Sequence, residues 1–334
     1  MKLKKIASIV TAALMIPSAF SCVQADETFK ITLGGPESGS QYFMASQFSE
    51  ELESLTNGKY STDLFVNSQL GTEQSTVNDA AMGLLDFSVV AINNITPFSP
   101  TSGLFTLPYI FNNEDDVMKV LKSDATQSVV DNTVRDAGVR IVGWSLSGFR
   151  YLTNSKREIK TLDDLQGLVI RVPKNEIMID TYRAWGINPT PMAWSEVFTA
   201  LQQKVVDGQD LSVIDIEKSK FYEVQNYLSR LHYNFLLEPL IMSESIFQSQ
   251  PKEVQSAILK AGKLATEESF KFLQREEESA IESLKTQGMK ITSLDESEWR
   301  EKVVKNVWPN YYETIGLDNI NKALTTLGRE PIQE

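Results

Sequence analysis

Two arginines near the middle of the chain are the residues best suited to bind a charged ligand. Arg171 stands in the apolar run 167–173, and Arg150 lies 21 residues earlier. A guanidinium keeps its proton and is costly to bury without a negative partner. The run around Arg171 contains no acidic residue. Two alternatives therefore remain open: the carboxylate of a bound ligand, or a distant Asp or Glu of the chain that merely pins the strand.

Side chains for catalysis are scarce. The whole chain has one histidine, His232, and one cysteine, Cys22. It lacks a Gly-x-Ser-x-Gly elbow, a His-Glu-x-x-His motif, a Walker motif and a Gly-x-Gly-x-x-Gly fingerprint. We therefore predict no enzyme, no metal site and no cofactor, and we expect His232 to be structural or to lie at an interface.

The N-terminus predicts export. Three lysines among the first five residues precede the apolar run 6–20, which is too short to span a bilayer. Small residues favour cleavage after Ala25; a lipoprotein anchored through Cys22 is the alternative, disfavoured by the bulky Phe20. Cleavage would leave a chain without cysteine, which suits a bacterial periplasm. The net charge of −12 argues against nucleic acid as a partner.

The elements that must position the arginines alternate between strand and helix. In the first half, periodicity predicts strands at 29–33, 59–66 and 86–91 and helices at 42–55 and 73–84. In the second half we expect a strand at 139–145, a helix at 175–185 and a helix capped by Ser195. This alternation predicts an α/β fold with a largely parallel sheet. A helical pattern from Pro251 to about residue 286 would be roughly 50 Å long, enough to cross two domains.

Six short motifs follow one another along the chain: QLG at 69–71, GLLDF at 83–87, LPY at 107–109, GLVIRVP at 167–173, NPTPMA at 188–193 and VDGQ at 206–209. In order and spacing they resemble the DctP-type solute-binding proteins of TRAP (tripartite ATP-independent periplasmic) transporters. The resemblance implies two α/β domains with an interdomain cleft, crossing strands and a long domain-spanning helix. We place the signal peptide at 1–25, domain I at 26–147 plus 237–276, and domain II at 148–236 plus 277–334.

The resemblance also implies roles for individual residues. In the family, the arginine at the position of Arg171 forms a bidentate salt bridge with the ligand carboxylate. The arginine at the position of Arg150 commonly adds a second contact. Trp194 takes the place of an aromatic residue beside the ligand. The remaining candidate contacts are Gln41, Glu73, Asn93, Asn94, Lys174 and Asp210.

One departure from the family pattern concerns the carboxylate. Where the family usually continues VDGQ with Glu-Asn-Pro, this chain has Asp210, Leu211 and Ser212. Leu211 cannot supply the amide of that asparagine, so the arginines receive less help or an apolar ligand face meets Leu211. The histidine frequent in the first loop is also absent, and Gln41 lies near its place.

These features predict a monomeric periplasmic protein that closes on a small organic acid. It would deliver the acid to a permease of large and small membrane subunits driven by an ion gradient. A hydroxylated or sugar acid, such as a uronate or aldonate, is the leading ligand class because the candidate contacts are rich in polar groups. Lys174 keeps a C4-dicarboxylate open, and Leu211 keeps an apolar keto or aromatic acid open. A sensor-associated binding protein is the alternative of another class.

Overall fold

The computed structural model describes residues 27–333. The predicted signal peptide, its cleavage after Ala25 and the lipoprotein alternative at Cys22 lie outside these residues. Within them, no helix is long and apolar enough to cross a membrane.

Strands and helices alternate as predicted, which confirms the α/β class. The strands are β1 (Glu27–Leu33), β2 (Tyr60–Phe65), β3 (Phe87–Val89), β4 (Val139–Asn154), β5 (Ile170–Val172), β6 (Thr190–Pro191), β7 (Gly208–Ser212), β8 (Tyr227–Arg230), β9 (Phe235–Ser243) and β10 (Lys290–Ser293). The helices are α1 (Ser40–Leu55), α2 (Glu73–Ala81), α3 (Glu114–Leu121), α4 (Asp124–Ala137), α5 (Glu176–Ala184), α6 (Trp194–Gln202), α7 (Val213–Lys218), α8 (Glu244–Ser249), α9 (Lys252–Thr286), α10 (Ser297–Asn306), α11 (Tyr312–Ile315) and α12 (Leu317–Thr326).

One continuous strand order, β2-β1-β3-β9-β4-β7-β5-β6, runs through the molecule. At one end β1 pairs in parallel with β2 and β3, and at the other β5 pairs in parallel with β6 and β7. The long strands β4 and β9 lie antiparallel between these two groups. They are the crossing strands that the family resemblance implied, because β9 pairs with β3 of the first group, β4 pairs with β7 of the second, and the two strands pair with each other.

The strand predicted at 139–145 is longer than expected and reaches Asn154. Almost every residue of β4 is buried, so the strand lacks the alternating pattern that marks a half-exposed one. Gly148, with φ of +103°, lies at a register shift between Leu146 and Gly148 and resembles a strand end in the sequence. Arg150 therefore stands inside a strand, where it pairs with Ser212 of β7, rather than beyond one.

The long helix α9 is confirmed and has 35 residues. It lies directly on β4: a Cβ at Gly262 would be 1.9 Å from the carbonyl oxygen of Val142. Thr266 and Ser269 of α9 accept hydrogen bonds from the backbone N–H groups of Trp144 and Leu146, both at 2.9 Å. The helix is thus fixed to the first half of the crossing strand.

The expected cap of α6 is wrong by two positions. The helix begins at Trp194 and its N-cap is Ala193, which has extended backbone angles and no side-chain cap, so Ser195 lies within the first turn. For α5 the expected start holds, since the Asn175 side chain accepts from the Met178 N–H at 3.1 Å.

Candidate ligand-binding site

A cavity with about 500 Å³ of empty space, open solvent at its mouth included, lies where the loops after β1 and β3 meet β5, β7 and α6. Carboxyl ends of parallel strands commonly deliver binding residues to such a place. Its lining residues are Gly35, Pro36, Gly39, Gln41, Glu73, Ala91, Asn94, Arg150, Arg171, Trp194, Leu211, Asp215, Ser219, Leu236 and Glu238. Seven of the ten predicted site residues are among them.

Arg171 lies on β5 with 3% of its surface exposed. Its Nε and Nη2 atoms both donate to the carbonyl oxygen of Met192, at 3.1 and 2.8 Å. Within residues 27–333 no carboxylate lies within ion-pair distance of Arg171. Burial, and then the positive charge of Arg150, lower the pKa of the Arg171 guanidinium to about 10. A buried cation without an acid of its own is prepared to receive an anion.

Arg150, 2% exposed, is held from several sides. Its Nη1 donates to the Asp210 carbonyl oxygen at 3.0 Å and to Asp210 Oδ1 at 3.2 Å. Its Nε donates to Asn234 Oδ1 at 3.2 Å, and its Nη2 points to Asn93 Oδ1 at 3.5 Å. The guanidinium therefore reaches the cavity in a fixed orientation with its charge already compensated by Asp210.

Asp210 does not line the cavity. It is fully buried on β7, and its Oδ2 accepts hydrogen bonds from the hydroxyl groups of Tyr182, at 3.0 Å, and Tyr233. Burial, followed by the negative charge of Asp210, raises the pKa of both tyrosines well above the usual value, so they remain donors. Asp210 thus lies behind Arg150, where its contacts orient that arginine.

Asn93 and Lys174 also lie outside the cavity lining. Asn93 is buried, and its carbonyl oxygen accepts from Asn175 Nδ2 at 3.0 Å. Lys174 is exposed and borders an adjoining crevice that it shares with Glu73, Asn94, Arg171 and Trp194. The structure therefore places Lys174 in the adjoining crevice and not in the cavity itself.

Glu73 and Gln41 form the polar part of the lining from the first half of the chain. Glu73 accepts from Gln41 Nε2 at 2.9 Å, from the Ala91 N–H at 3.3 Å and from Asn94 Nδ2. Gln41 Oε1 accepts from the N–H of Gly34 at 2.7 Å. Burial raises the pKa of Glu73, although these hydrogen bonds and the nearby Arg171 oppose the shift.

Two carboxyls of the lining, Glu238 and Asp215, were missed in the sequence. Glu238 on β9 accepts from Gln41 Nε2 at 2.8 Å and from Ser147 Oγ at 2.5 Å. Asp215 on α7 accepts from Ser212 Oγ at 2.6 Å and from the Ser40 N–H at 3.2 Å. A single glutamate inside the otherwise apolar stretch 235–242 was a usable signal for Glu238.

Apolar side chains complete the lining. Trp194 stacks on Phe221 with ring centroids 5.6 Å apart and donates from Nε1 to the Gly34 carbonyl oxygen at 3.1 Å. Leu211 and Leu236 add aliphatic surface. The bond from Trp194 to Gly34, and that from Gln74 to the Lys174 carbonyl oxygen at 3.2 Å, join residues of the first and second halves of the chain beside the cavity and its adjoining crevice.

His232 does not line this cavity. Its imidazole ring packs against Phe149 and Tyr151, and the centroid of each of these rings lies 5.2 Å from the centroid of the imidazole. Burial, and then Arg230, lower its pKa to about 4. This environment fits the structural role expected for it.

Comparisons with known proteins agree with the geometry. The chain matches the family model DctP, bacterial extracellular solute-binding protein family 7, over residues 34–314. The 2,3-diketo-L-gulonate-binding periplasmic protein YiaO of Escherichia coli is 28% identical over 86% of this chain and 88% of its own length.

Two crystal structures of similar proteins contain different acids. The sugar acid binding protein DctPAm of Advenella mimigardefordensis, in complex with galactonate, has a TM-score of 0.85 and 27% identity, and the match covers 91% of this chain and 99% of that one. A TRAP periplasmic solute-binding protein of Sulfurospirillum deleyianum with bound succinate has a TM-score of 0.83 and 29% identity, covering 91% and 100%. The chain belongs to the DctP family of solute-binding proteins and has the two-domain α/β fold of TRAP periplasmic binding proteins.

Proposed function

We propose that this chain is the periplasmic binding protein of a TRAP transporter and captures a hydroxylated or sugar acid by closing around its carboxylate. The observation that carries the proposal is Arg171, a buried guanidinium that lines the cavity and forms no ion pair with any carboxylate of residues 27–333. A bidentate bond to a carboxylate satisfies such a group better than any contact the chain itself offers.

Several lining residues then contact different parts of the ligand. Arg171 binds the carboxylate, and Arg150, oriented by Asp210 and Asn93, makes a second contact from the side. Trp194 and Leu211 cover the carbon chain, since an indole face suits the C–H surface of a sugar acid.

Hydroxyl groups of the ligand meet the polar lining of the first half of the chain. Glu73, Gln41 and Asn94 offer carboxylate and amide groups there, already connected by hydrogen bonds to one another. The named ligands of related proteins, galactonate and 2,3-diketo-L-gulonate, support this class. Lys174 and the succinate-bound relative support a dicarboxylate as the second candidate, although the carboxyls of the cavity lining oppose a second negative charge.

Closure joins the two domains around the ligand, for which we propose 26–147 plus 237–276 as domain I and 148–236 plus 277–334 as domain II. The bonds from Trp194 to Gly34 and from Gln74 to Lys174 would form at that step. The closed monomer would dock on the small and large permease subunits, after export and removal of residues 1–25. It would not act as an enzyme.

A thermal-shift screen of the exported protein tests the proposal. A ligand at about 1,000 times its dissociation constant adds roughly 4 kcal/mol to the free energy of unfolding, which raises the melting temperature by several degrees. We expect such a shift with one group of aldonates or uronates. The absence of a shift with every carboxylate, after ligand removal by unfolding and refolding, would refute the proposal.

A further inference from the structure

The cavity carries an uneven set of charges. Besides the two arginines it is lined by Glu73, Asp215 and Glu238, which we call the acidic wall. Their carboxyls are close enough that Asp215 and Glu73 both raise the pKa of Glu238, after burial as the first cause. In the described part of the chain no lysine or arginine forms an ion pair with any of the three.

The hydrogen bonds of the acidic wall are internal. Glu238, 5% exposed, accepts from Ser147 and Gln41, and Asp215 accepts from Ser212 and the Ser40 N–H. Such contacts hold the carboxyls in place along the cavity without neutralising them. Any group of the ligand that lies there meets carboxyl oxygens.

A count of charges then limits the ligand. Asp210 already compensates Arg150, so one guanidinium, that of Arg171, remains for the ligand. The first carboxylate of a ligand uses it. A second carboxylate would find no further cation among the described residues that line the cavity and would face the acidic wall. Lys174 is exposed in the adjoining crevice, which Glu73 also borders.

Resting on the proposed function, we propose that the acidic wall restricts this protein to acids with a single carboxylate and excludes dicarboxylates and aldarates by charge. Membership of the family leaves this point open, because one related structure holds galactonate and another holds succinate. Like charges placed together at an interface weaken binding strongly, so the discrimination should be about a hundredfold or more.

Matched pairs of acids test this inference. Each aldonate is compared by titration calorimetry with the aldarate of the same configuration: galactonate with galactarate, gluconate with glucarate, and erythronate with meso-tartrate. Members of a pair differ only at the far carbon, where a CH₂OH group replaces a carboxylate. We expect the aldarate of the best-binding pair to bind about a hundredfold more weakly than its aldonate.

Two further measurements identify the acidic wall as the cause. The double variant Asp215→Asn, Glu238→Gln removes two charges and keeps one acceptor oxygen on each side chain, while the new NH₂ groups can donate to the hydroxyl oxygens of Ser212 and Ser147. It should reduce the discrimination to about tenfold or less. The control variant Glu37→Gln removes an exposed charge beside the cavity and should leave the discrimination between aldonate and aldarate unchanged. In the wild-type protein, lowering the pH from about 8 to about 5 should also reduce the discrimination, since the carboxyls of the wall become protonated.

The outcomes separate the two proposals. If no aldonate or uronate binds, the proposed function is wrong. If an aldonate binds and its aldarate binds within tenfold of it in the wild-type protein, the inference about the acidic wall is wrong while the proposed function stands. Discrimination that survives both the double variant and low pH would also overturn the acidic wall as its cause.

Discussion

Replacing Arg171 by alanine should abolish most of the affinity for the ligand while leaving the unliganded fold nearly intact. The side chain makes two hydrogen bonds to a single acceptor, the Met192 carbonyl oxygen, and no ion pair within residues 27–333. Its removal therefore takes little stabilisation from the unliganded protein, and it relieves the burial of a charge that also faces Arg150.

The effect on binding should be much larger. Truncating one member of a buried charge pair costs about 2–5 kcal/mol, because the other charge is left buried without a partner. At about 1.4 kcal/mol per factor of ten, the dissociation constant should rise roughly thirty- to several-thousand-fold. Arg171→Lys keeps the charge but loses the planar guanidinium that binds a carboxylate through two N–H groups. The affinity of this variant should therefore lie between those of the wild type and Arg171→Ala.

Titration calorimetry with the best acid of the screen gives the affinities, and thermal unfolding without ligand gives the control. We expect melting temperatures of the two variants within a few degrees of the wild type. Wild-type affinity in Arg171→Ala would show that the carboxylate binds elsewhere. A collapse of the unliganded fold would show that Arg171 is instead a structural residue.

Three further outcomes are expected. Tyr233→Phe removes one donor to Asp210 and should weaken ligand binding about threefold to tenfold in calorimetry, because Arg150 is then held less firmly. Gly262→Ala places a Cβ 1.9 Å from the Val142 carbonyl oxygen, so its melting temperature should fall by about 2–10 °C, whereas a surface substitution on the same helix should change little. The unliganded protein should lose stability as the pH rises above 4.5, because burial raises the pKa of Glu238 in the folded state and the folded protein then binds more protons; Glu238→Gln should flatten this dependence in thermal unfolding.

The sequence predicted the parts of the fold that have a clear period. The helix α9 was expected from Pro251 to about residue 286 and runs over Lys252–Thr286, because its apolar stripe and charged face repeat regularly. The strand with Arg171 was also expected, and its lack of a nearby acid was visible in the run itself. Which distant side chains meet there was available only from the family resemblance.

Other parts could not be predicted for physical reasons. The second half of β4 is buried on both faces, so its sequence lacks the alternation of apolar and polar residues that predicts a strand. Gly148 in addition resembles a residue that ends a strand. Asp210 resembles a turn residue after Asp207 and Gly208, although β7 buries it completely. The position of Glu238 in the site could not be predicted, because its partners Gln41 and Ser147 are 197 and 91 residues away in the sequence.

The attachment of β4 to two different neighbours has a consequence for how the molecule opens. Up to Leu146 the strand is bonded to α9, and from Arg150 onward it pairs with β7, with the register shift at Gly148 between them. If the proposed closure bends this strand at Gly148, Arg150 would move with the side bonded to β7, while Glu238, which pairs with Ser145, would stay with the side bonded to α9. In the open molecule a diacid could then still touch the arginines. Its rejection would occur at the closing step and would appear as a faster release rather than a slower encounter.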